Sequence, residues 1–439
     1  MSISLGRFFL VIIFAALASS CGAYLLDSAQ NDLRDSFASG DFESTSAMME
    51  SLEKKGVYTE KDAVLLNLEK GSAYHFSGDY SASNSYFEQA EFNIEDLYTK
   101  SISRALKSFL VNDNQLSYDG EDYEDVYLNV FKALNYIHLE DFEGALVETR
   151  RISYKLDQIN TKYRGLVETL SKADTTNTGS DKWSTGKSNI QNSTLGYYLA
   201  TILYAKTNKP DDARISYQNL LKAHQEQSSY FLLDAYDYQK FDKLTNPDAY
   251  NVLIKAFSGR SPMKVQDDSR IYFEDSDTYI KFSFPVLLKY QSEVYSVSVS
   301  VNGTTQEELA TIEHLDKVAG EVYKVKEPLI IARTMVRATL KSLASNRASN
   351  KVSEKNEGLG SLLNFLGKLA QETTEKADLR GWQTMPGTSH ATVLSLPAGV
   401  HSVRIDYLDR RGKVLFFEEQ EIEVTENDAL KLVESIYWN

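Results

Sequence analysis

The first half of the chain repeats one arrangement of aromatic, polar and small residues. Tyr74 is followed by a Gly-Asp-Tyr turn at 78–80 and then by Ser83, nine residues after the tyrosine. The same nine-residue spacing recurs downstream, from Tyr136 to Ala145 and from Tyr204 to Ala213. Because apolar positions at three- and four-residue intervals flank each turn, each block predicts two antiparallel helices in close contact.

These blocks resemble tetratricopeptide repeats, whose helical hairpin unit is about 34 residues long. Four units are predicted, with turn residues Phe42, Tyr80, Phe142 and Pro210, and their uneven separation indicates extra polar segments between units. The resemblance implies a degenerate repeat array over residues 21–258, whose stacked hairpins leave a curved surface for a partner protein. A set of plain helical hairpins serving as a spacer is the alternative.

After the break at 258–262, the apolar period changes from that of a helix to that of a strand. In Tyr295–Val301, valines and the tyrosine share one face and serines the other, and Asn302-Gly303 follows as a hairpin turn. Similar alternation occupies 392–424. We therefore predict an α+β protein: an N-terminal helical array followed by a C-terminal α+β domain at 263–439, rich in antiparallel strands.

A helical insert at about 312–376 is predicted to interrupt the C-terminal strands. It contains two amphipathic pieces, 329–343 and 359–371, and the first carries Arg333, Arg337 and Lys341 at four-residue intervals opposite an apolar face. We favour a helix pair that covers the sheet. The alternative is a movable hairpin that contacts a membrane or a partner.

The first residues read as a secretion signal that ends at a cysteine. Arg7 precedes about ten apolar residues, whereas a membrane-spanning helix needs roughly twenty. Small residues then precede Cys21, as in the cleavage region of a signal peptide. Ala18-Ser-Ser-Cys21 resembles the lipobox of bacterial lipoproteins. The resemblance implies a signal peptide at 1–20, lipid attachment at Cys21 and, since Gly22 follows, an outer-membrane location facing the periplasm. An ordinary signal or an uncut anchor helix is the alternative.

Composition narrows the possible partners. The 439 residues include 62 acidic and 47 basic side chains, for a formal net charge of -15, which argues against nucleic-acid binding because phosphates are neutralised chiefly by lysine and arginine. With 42% hydrophobic and 25% charged residues, the chain has the profile of a globular protein. Cys21 is the only cysteine, so an intrachain disulfide is impossible.

Candidate chemistry is sparse. The sequence contains no nucleophile elbow, phosphate-binding glycine loop, paired cysteines or His-Glu-x-x-His motif, so we predict no catalytic residues, no metal and no cofactor. Acidic pairs such as Glu121-Asp122 are interpreted as solvated surface. One unusual cluster precedes the last strands and is the candidate partner-binding site: Asp378, Arg380, Trp382 and His390.

Three further segments, 333–341, 377–386 and 396–399, resemble a family of poorly characterised bacterial lipoproteins. That resemblance implies an envelope location but no reaction. We predict a membrane-anchored, non-catalytic scaffold that binds another envelope protein through its helical-repeat surface, with no nucleic acid and no small-molecule cofactor. The alternative is an envelope polymer-binding protein or enzyme that uses the 378–390 region.

Overall fold

The chain folds as an α+β protein. The computed structural model describes residues 25–104, 113–173, 183–230, 239–273, 278–353 and 376–439. The predicted signal peptide, Cys21 and the amphipathic piece 359–371 lie outside these ranges. Within them, nine helices occupy the N-terminal half, and strands of three sheets together with a long helix form the C-terminal half.

The helices and strands follow one another with few insertions. The helices are α1 (25–38), α2 (Phe42–Lys54), α3 (Ala63–Phe76), α4 (Tyr80–Arg104), α5 (Asp122–His138), α6 (Phe142–Ala173), α7 (Thr194–Lys206), α8 (Pro210–Glu226), α9 (Gln239–Asp242) and α10 (Leu315–Ser353). The strands are β1 (Val252–Arg260), β2 (Met263–Phe273), β3 (Thr278–Leu288), β4 (Ser296–Val301), β5 (Thr304–Glu308), β6 (Ala310–His314), β7 (Pro386–Leu394), β8 (Gly399–Leu408), β9 (Val414–Val424) and β10 (Lys431–Tyr437).

Helix pairs α1–α2, α3–α4, α5–α6 and α7–α8 form at the four predicted turns, and each turn contains one residue in the left-handed conformation. The last three turns also share the same two backbone hydrogen bonds. In the α3–α4 turn, the Asp79 N–H donates to the Tyr74 carbonyl (3.0 Å) and the Gly78 N–H to the His75 carbonyl (3.1 Å), as in a Schellman helix end. The residue in the left-handed conformation is, turn by turn, Gly40 (φ 77°), Gly78 (86°), Glu140 (58°) and Asn208 (56°).

The small residues inferred from the nine-residue spacing are buried between paired helices. Ser83, Ala145 and Ala213 are fully buried, and so is Thr45 in the first pair. The close approach is tightest at Gly71, where an added Cβ would lie 2.7 Å from the ring of Phe87. The spacing therefore identified the contact residues of the helix pairs.

The strands of the C-terminal half form three sheets. The central sheet has the order β10-β1-β7-β6, the outer sheet β5-β4-β8-β9, and β2 pairs with β3 in a separate hairpin. Most neighbours are antiparallel as predicted, but β1 runs parallel to β10. Strand β1 begins at Val252, inside the segment assigned from sequence to the helical array.

Strand β1 is buried on both faces because the central sheet lies between two layers. Val252, Ile254 and Ala256 pack in the core shared with the outer sheet. Leu253 and Phe257, on the opposite face, pack in the core shared with the helices. The molecule is thus a three-layer arrangement of helices, central sheet and outer sheet, and the two predicted domains share a continuous core.

Helix α10 corrects the predicted insert. Residues 310–314 form strand β6 where the insert was expected to begin, and one helix runs from Leu315 to Ser353 through Pro328, so the amphipathic piece 329–343 is part of a longer helix. A proline within a helix leaves a carbonyl one turn earlier without its N–H partner. Here the backbone of Gly186 lies against this turn: its N–H donates to the Val325 carbonyl (3.1 Å), and a Cβ on Gly186 would lie 2.1 Å from the Lys324 carbonyl oxygen. The carbonyl freed by Pro328 is that of Lys324, so the Gly186 N–H bonds the adjacent carbonyl, and only a glycine fits this close to α10.

The left-handed turn residues predict opposite stability changes at two equivalent positions. Glu140→Gly should raise the free energy of unfolding by about 0.5–1 kcal/mol, because glycine adopts a positive φ without a Cβ clash. Gly78→Ala should lower it by about the same amount for the same reason. Urea denaturation measures both. Repeating Glu140→Gly in a Lys431→Ala background removes the exposed 3.3 Å ion pair between Glu140 and Lys431. Shifts of the same sign at both positions would contradict this account.

Candidate functional site

A cleft of about 410 Å³ lies between the helical half and the C-terminal half. Its walls come from α4, α6, the segment 113–121, the β2–β3 hairpin, α10 and residues 377–378. Apolar side chains form part of the lining: Ile94, Leu97, Leu116, Pro285, Leu329 and Ile330. Charged side chains, tyrosines and uncharged polar side chains form most of the rest, so the cleft is amphiphilic.

Two carboxylates in the cleft each form ion pairs with two cations. Glu121 lies 2.7 Å from both Lys264 and Lys326. Asp113 lies 3.0 Å from Arg333 and 3.2 Å from Arg337. Lys326, Arg333 and Arg337 lie on one face of α10, since their spacings follow the helical repeat. Burial disfavours the charged form of Lys326, yet Glu121 and neighbouring acids hold its pKa well above the ordinary value.

Arg380 fastens the segment before β7 to the helical half. Its guanidinium donates to Asp378 (2.9 and 2.7 Å) and to Asp62 (3.0 Å). It also donates to the carbonyls of Asp113 (3.1 Å) and Leu116 (2.9 Å). We call this set of contacts the arginine clamp. Burial opposes ionisation of Asp378, but Arg380 holds the pKa of that carboxyl below its usual range.

Trp382 belongs to the core next to the clamp. Its indole ring lies 5.6 Å from Phe87 and 5.4 Å from Phe131, between centroids, and its indole N–H donates to Thr384 (2.9 Å). Its backbone N–H donates to Glu124 (2.7 Å). Burial and then the nearby Glu121 raise the pKa of Glu124 to about 7. The tryptophan is 4% exposed and therefore packs the interior.

His390 lies on β7 within the central sheet. Its Nε2 is 2.9 Å from the Ser258 hydroxyl and its Nδ1 is 3.2 Å from the Thr311 hydroxyl. Burial, followed by the nearby Lys255, lowers the pKa of His390 to about 3, so the ring is neutral at pH 7. Of the four predicted site residues, Asp378 and Arg380 form an ion pair and Asp378 borders the cleft. Trp382 and His390 are committed to interior contacts, so the four do not form one ligand site.

A second depression, the α4–α6 groove, adjoins the cleft. It has a volume of about 560 Å³ and shares Tyr98, Lys162 and Leu166 with the cleft. Its cations have internal partners: Lys155 lies 2.7 Å from Asp125, and Lys162 lies 2.6 Å from Asp122. The lining residue Tyr154 is 66% exposed. The groove thus combines neutralised charges with an accessible aromatic side chain.

The acidic residues at the start of α5 were misinterpreted from sequence. Glu121 and Asp122 were expected on solvated surface, and Glu124 was not singled out. All three side chains are buried, at 4%, 8% and 0% exposure respectively. Their partners, such as Lys264 and Lys326, lie far away in the sequence. The sequence signals of the cleft were the basic stripe that includes Arg333 and Arg337, and the candidate site residue Asp378.

The comparisons with known proteins found no match: no protein-family model, no curated protein and no solved structure resembles this chain. Across the described ranges, no helix is both long and apolar enough to cross a membrane. Those same ranges hold no group of three or more histidine, cysteine or acidic side chains arranged to bind a metal.

Lys255 predicts a pH-dependent contribution to stability. It lies fully buried on β1, and burial lowers its pKa to about 7 despite Glu434 and Glu313. The unfolded chain, with an ordinary lysine, binds more protons between pH 7 and about 10. The free energy of unfolding should therefore rise with pH in that window, by at most about 1.4 kcal/mol per pH unit from this group.

Lys255→Met should remove this rise. The measurement is chemical denaturation at several pH values, reported as wild type minus variant so that other titrating groups cancel. Lys222→Met is the control, because Lys222 has a 69% exposed side chain on α8. Parallel curves for wild type and Lys255→Met would contradict a neutral buried lysine.

Proposed function

We propose that this chain is a lipid-anchored, non-catalytic adaptor of the bacterial envelope that binds a partner protein in the α4–α6 groove. One observation carries the proposal. The inner faces of the helix pairs are filled by the chain's own C-terminal half, whereas the α4–α6 groove leaves the side chain of Tyr154 accessible.

The filled inner faces are evident from contacts between the two halves. Phe131 on α5 lies 5.5 Å from Phe257 on β1, and Phe37 on α1 lies 5.5 Å from Trp438, between ring centroids. His75 and His138 each lie 3.2 Å from Glu434 on β10. A partner peptide on these helix faces would have to displace the central sheet. Binding at the exposed Tyr154 of the α4–α6 groove requires no such rearrangement.

The α4–α6 groove has features of a protein-binding surface. Aromatic side chains are enriched in protein interfaces, where they contribute much of the binding energy. Tyr154 in the groove is 66% exposed, and Tyr98 is a second aromatic residue of the lining. Because the lysines of the groove are already paired with acidic residues, a partner would gain contact area without leaving new unpaired charges.

The shared turn geometry supports relating the four helix pairs to tetratricopeptide repeats. Such arrays commonly present surfaces to proteins or peptides. The sequence around Cys21 supports anchoring at the outer membrane, where tethering would raise the local concentration of the adaptor for a membrane-associated partner. Neither proposal requires a reaction.

A polymer-binding protein or enzyme that uses the 378–390 region remains the alternative. Arg380 donates its hydrogen bonds to Asp378, Asp62 and backbone carbonyls, and Trp382 is buried in the core. These commitments weigh against direct contact of either side chain with a substrate. Asp378, at the edge of the cleft, is the residue of this region best placed to contact a ligand.

Tyr154→Ala tests the groove. Cross-linking in the native host, followed by mass spectrometry, should identify one envelope protein whose capture falls about fivefold or more in the variant, since an aromatic interface anchor contributes about 1–2 kcal/mol or more. Tyr279→Ala is the matched control, because Tyr279 is 67% exposed but lies on β3, outside the groove. Equal capture by both variants and the wild type would reject the groove as the binding surface.

Cys21→Ala tests the anchor separately. The variant should lose mass corresponding to attached acyl chains and move from the membrane fraction to the soluble periplasmic fraction, because several acyl chains hold a protein on a bilayer far more firmly than one. Its far-ultraviolet circular dichroism should match that of the wild type. An unmodified N-terminal peptide on native material would contradict lipid attachment.

A further inference from the structure

Helices α1 and α3 run side by side in the same direction. Gln30 on α1 donates to Glu69 on α3 (3.2 Å), and one to two turns later the ring of Phe37 lies 5.5 Å from that of Phe76, between centroids. Both pairs differ by 39 positions, from 30 to 69 and from 37 to 76. The same register places the start of α1, at residue 25, beside the first turn of α3, which begins at Ala63.

The cleft lies at this end of the helical half. Asp62 immediately precedes α3 and accepts a hydrogen bond from Arg380 (3.0 Å). Arg380 in turn contacts the carbonyls of Asp113 and Leu116, and both of these residues line the cleft. The register of α1 on α3, together with the contacts of Arg380, therefore places the start of α1 at the end of the helical half that borders the cleft.

The proposed lipid at Cys21 would hold this end near the membrane. Only four residue steps separate Cys21 from residue 25, and an extended chain spans at most about 14 Å over that length. Unfolding or detaching α1 to lengthen the tether would cost free energy, because Leu26, Leu33 and Phe37 are buried in the core. The body is thus held close to the bilayer with its cleft end toward it.

The cleft also has the chemistry of an amphiphile site. Among the described residues, six cationic side chains line it, against four anionic ones. The two most accessible of these cations are Lys100 on α4, whose side chain is 48% exposed, and Arg333 on α10, whose side chain is 28% exposed. Of the two, Arg333 lies on the same helix as the apolar Leu329 and Ile330. The net charge of -15 repels anions at long range, but at 0.1 M salt that repulsion is screened beyond about 10 Å.

We propose that the cleft binds an anionic amphiphile, with its phosphate or carboxylate head at Arg333 and Lys326 and its alkyl chain against Leu329, Ile330 and Leu97. The location rests on the proposed anchor, whereas the ligand class rests on the cleft lining alone. The experiment below separates these two parts. Capture of a protein partner in the α4–α6 groove is measured separately, so the outcome for the cleft does not decide the outcome for the groove.

The ligand class is tested by titrating the mature chain from residue 21, carrying Cys21→Ser, with decyl phosphate in a calorimeter. We expect one site, with affinity for inorganic phosphate and for uncharged octyl glucoside at least tenfold weaker. Arg333→Gln should weaken decyl phosphate binding about tenfold, the effect of losing one charge-assisted contact. Ile330→Asp should weaken it as well, and Lys222→Gln on α8 should not change it.

Two results would overturn the ligand class. Equal affinity for decyl phosphate and octyl glucoside would show that the cations do not contribute to binding. Equal affinity for decyl phosphate and inorganic phosphate would show that the apolar wall does not contribute. Thermal unfolding of each variant establishes that it is folded. If Arg333→Gln is unstable, Arg333→Lys replaces it and should weaken binding less than Ile330→Asp.

Flotation with vesicles tests whether the membrane supplies the anionic amphiphile. The same Cys21→Ser chain should float with vesicles containing phosphatidylglycerol and not with pure phosphatidylcholine, and Arg333→Gln should reduce flotation. Binding of decyl phosphate without flotation would overturn the membrane as the source while retaining the ligand class. Partner capture that persists in Arg333→Gln would leave the proposed adaptor function intact.

Discussion

Strand β1 is buried on both faces, and this burial fixes how the three layers of the molecule assemble. A strand at the centre of a sheet has its backbone groups satisfied by neighbours on either side, here β10 and β7. With Ile254 toward the outer sheet and Phe257 toward the helices, neither adjoining layer can separate without exposing apolar surface. The helix pairs are consequently a fixed layer of one body, and their inner faces are already occupied.

The same constraint explains which parts of the fold were predictable from sequence. Strand β4 was predicted because one of its faces is buried and the other is not, so Val297 and Val299 alternate with serines. Strand β1 was missed because both faces are buried, which removes the alternation, and because Lys255 interrupts its apolar run. Parallel pairing with the distant β10 has no local sequence signature. The helix pairs were found because each turn carries its own local signal, from small residues to glycine and aspartate.

The candidate site was less predictable because its charges are paired across long sequence separations. Glu121 reads as solvated surface among its acidic neighbours, and only the fold reveals that Lys264 and Lys326 meet it. Conversely, Arg380 and Trp382 were singled out as binding residues because charged and aromatic side chains often serve in recognition. Their contacts show a role in joining the two halves. Sequence identifies unusual residues more readily than it distinguishes an interior contact from an exposed one.

The arginine clamp indicates why buried charges are kept at this junction. Apolar side chains of similar volume stabilise an interior about as well as a buried ion pair, so stability alone does not account for Arg380. A guanidinium with fixed donor directions admits few positions for Asp378, Asp62 and the carbonyl of Leu116. We infer that the clamp specifies how the segment before β7 seats against the helices. Because that seating places Asp378 and the 113–121 segment, it also sets the shape of the cleft.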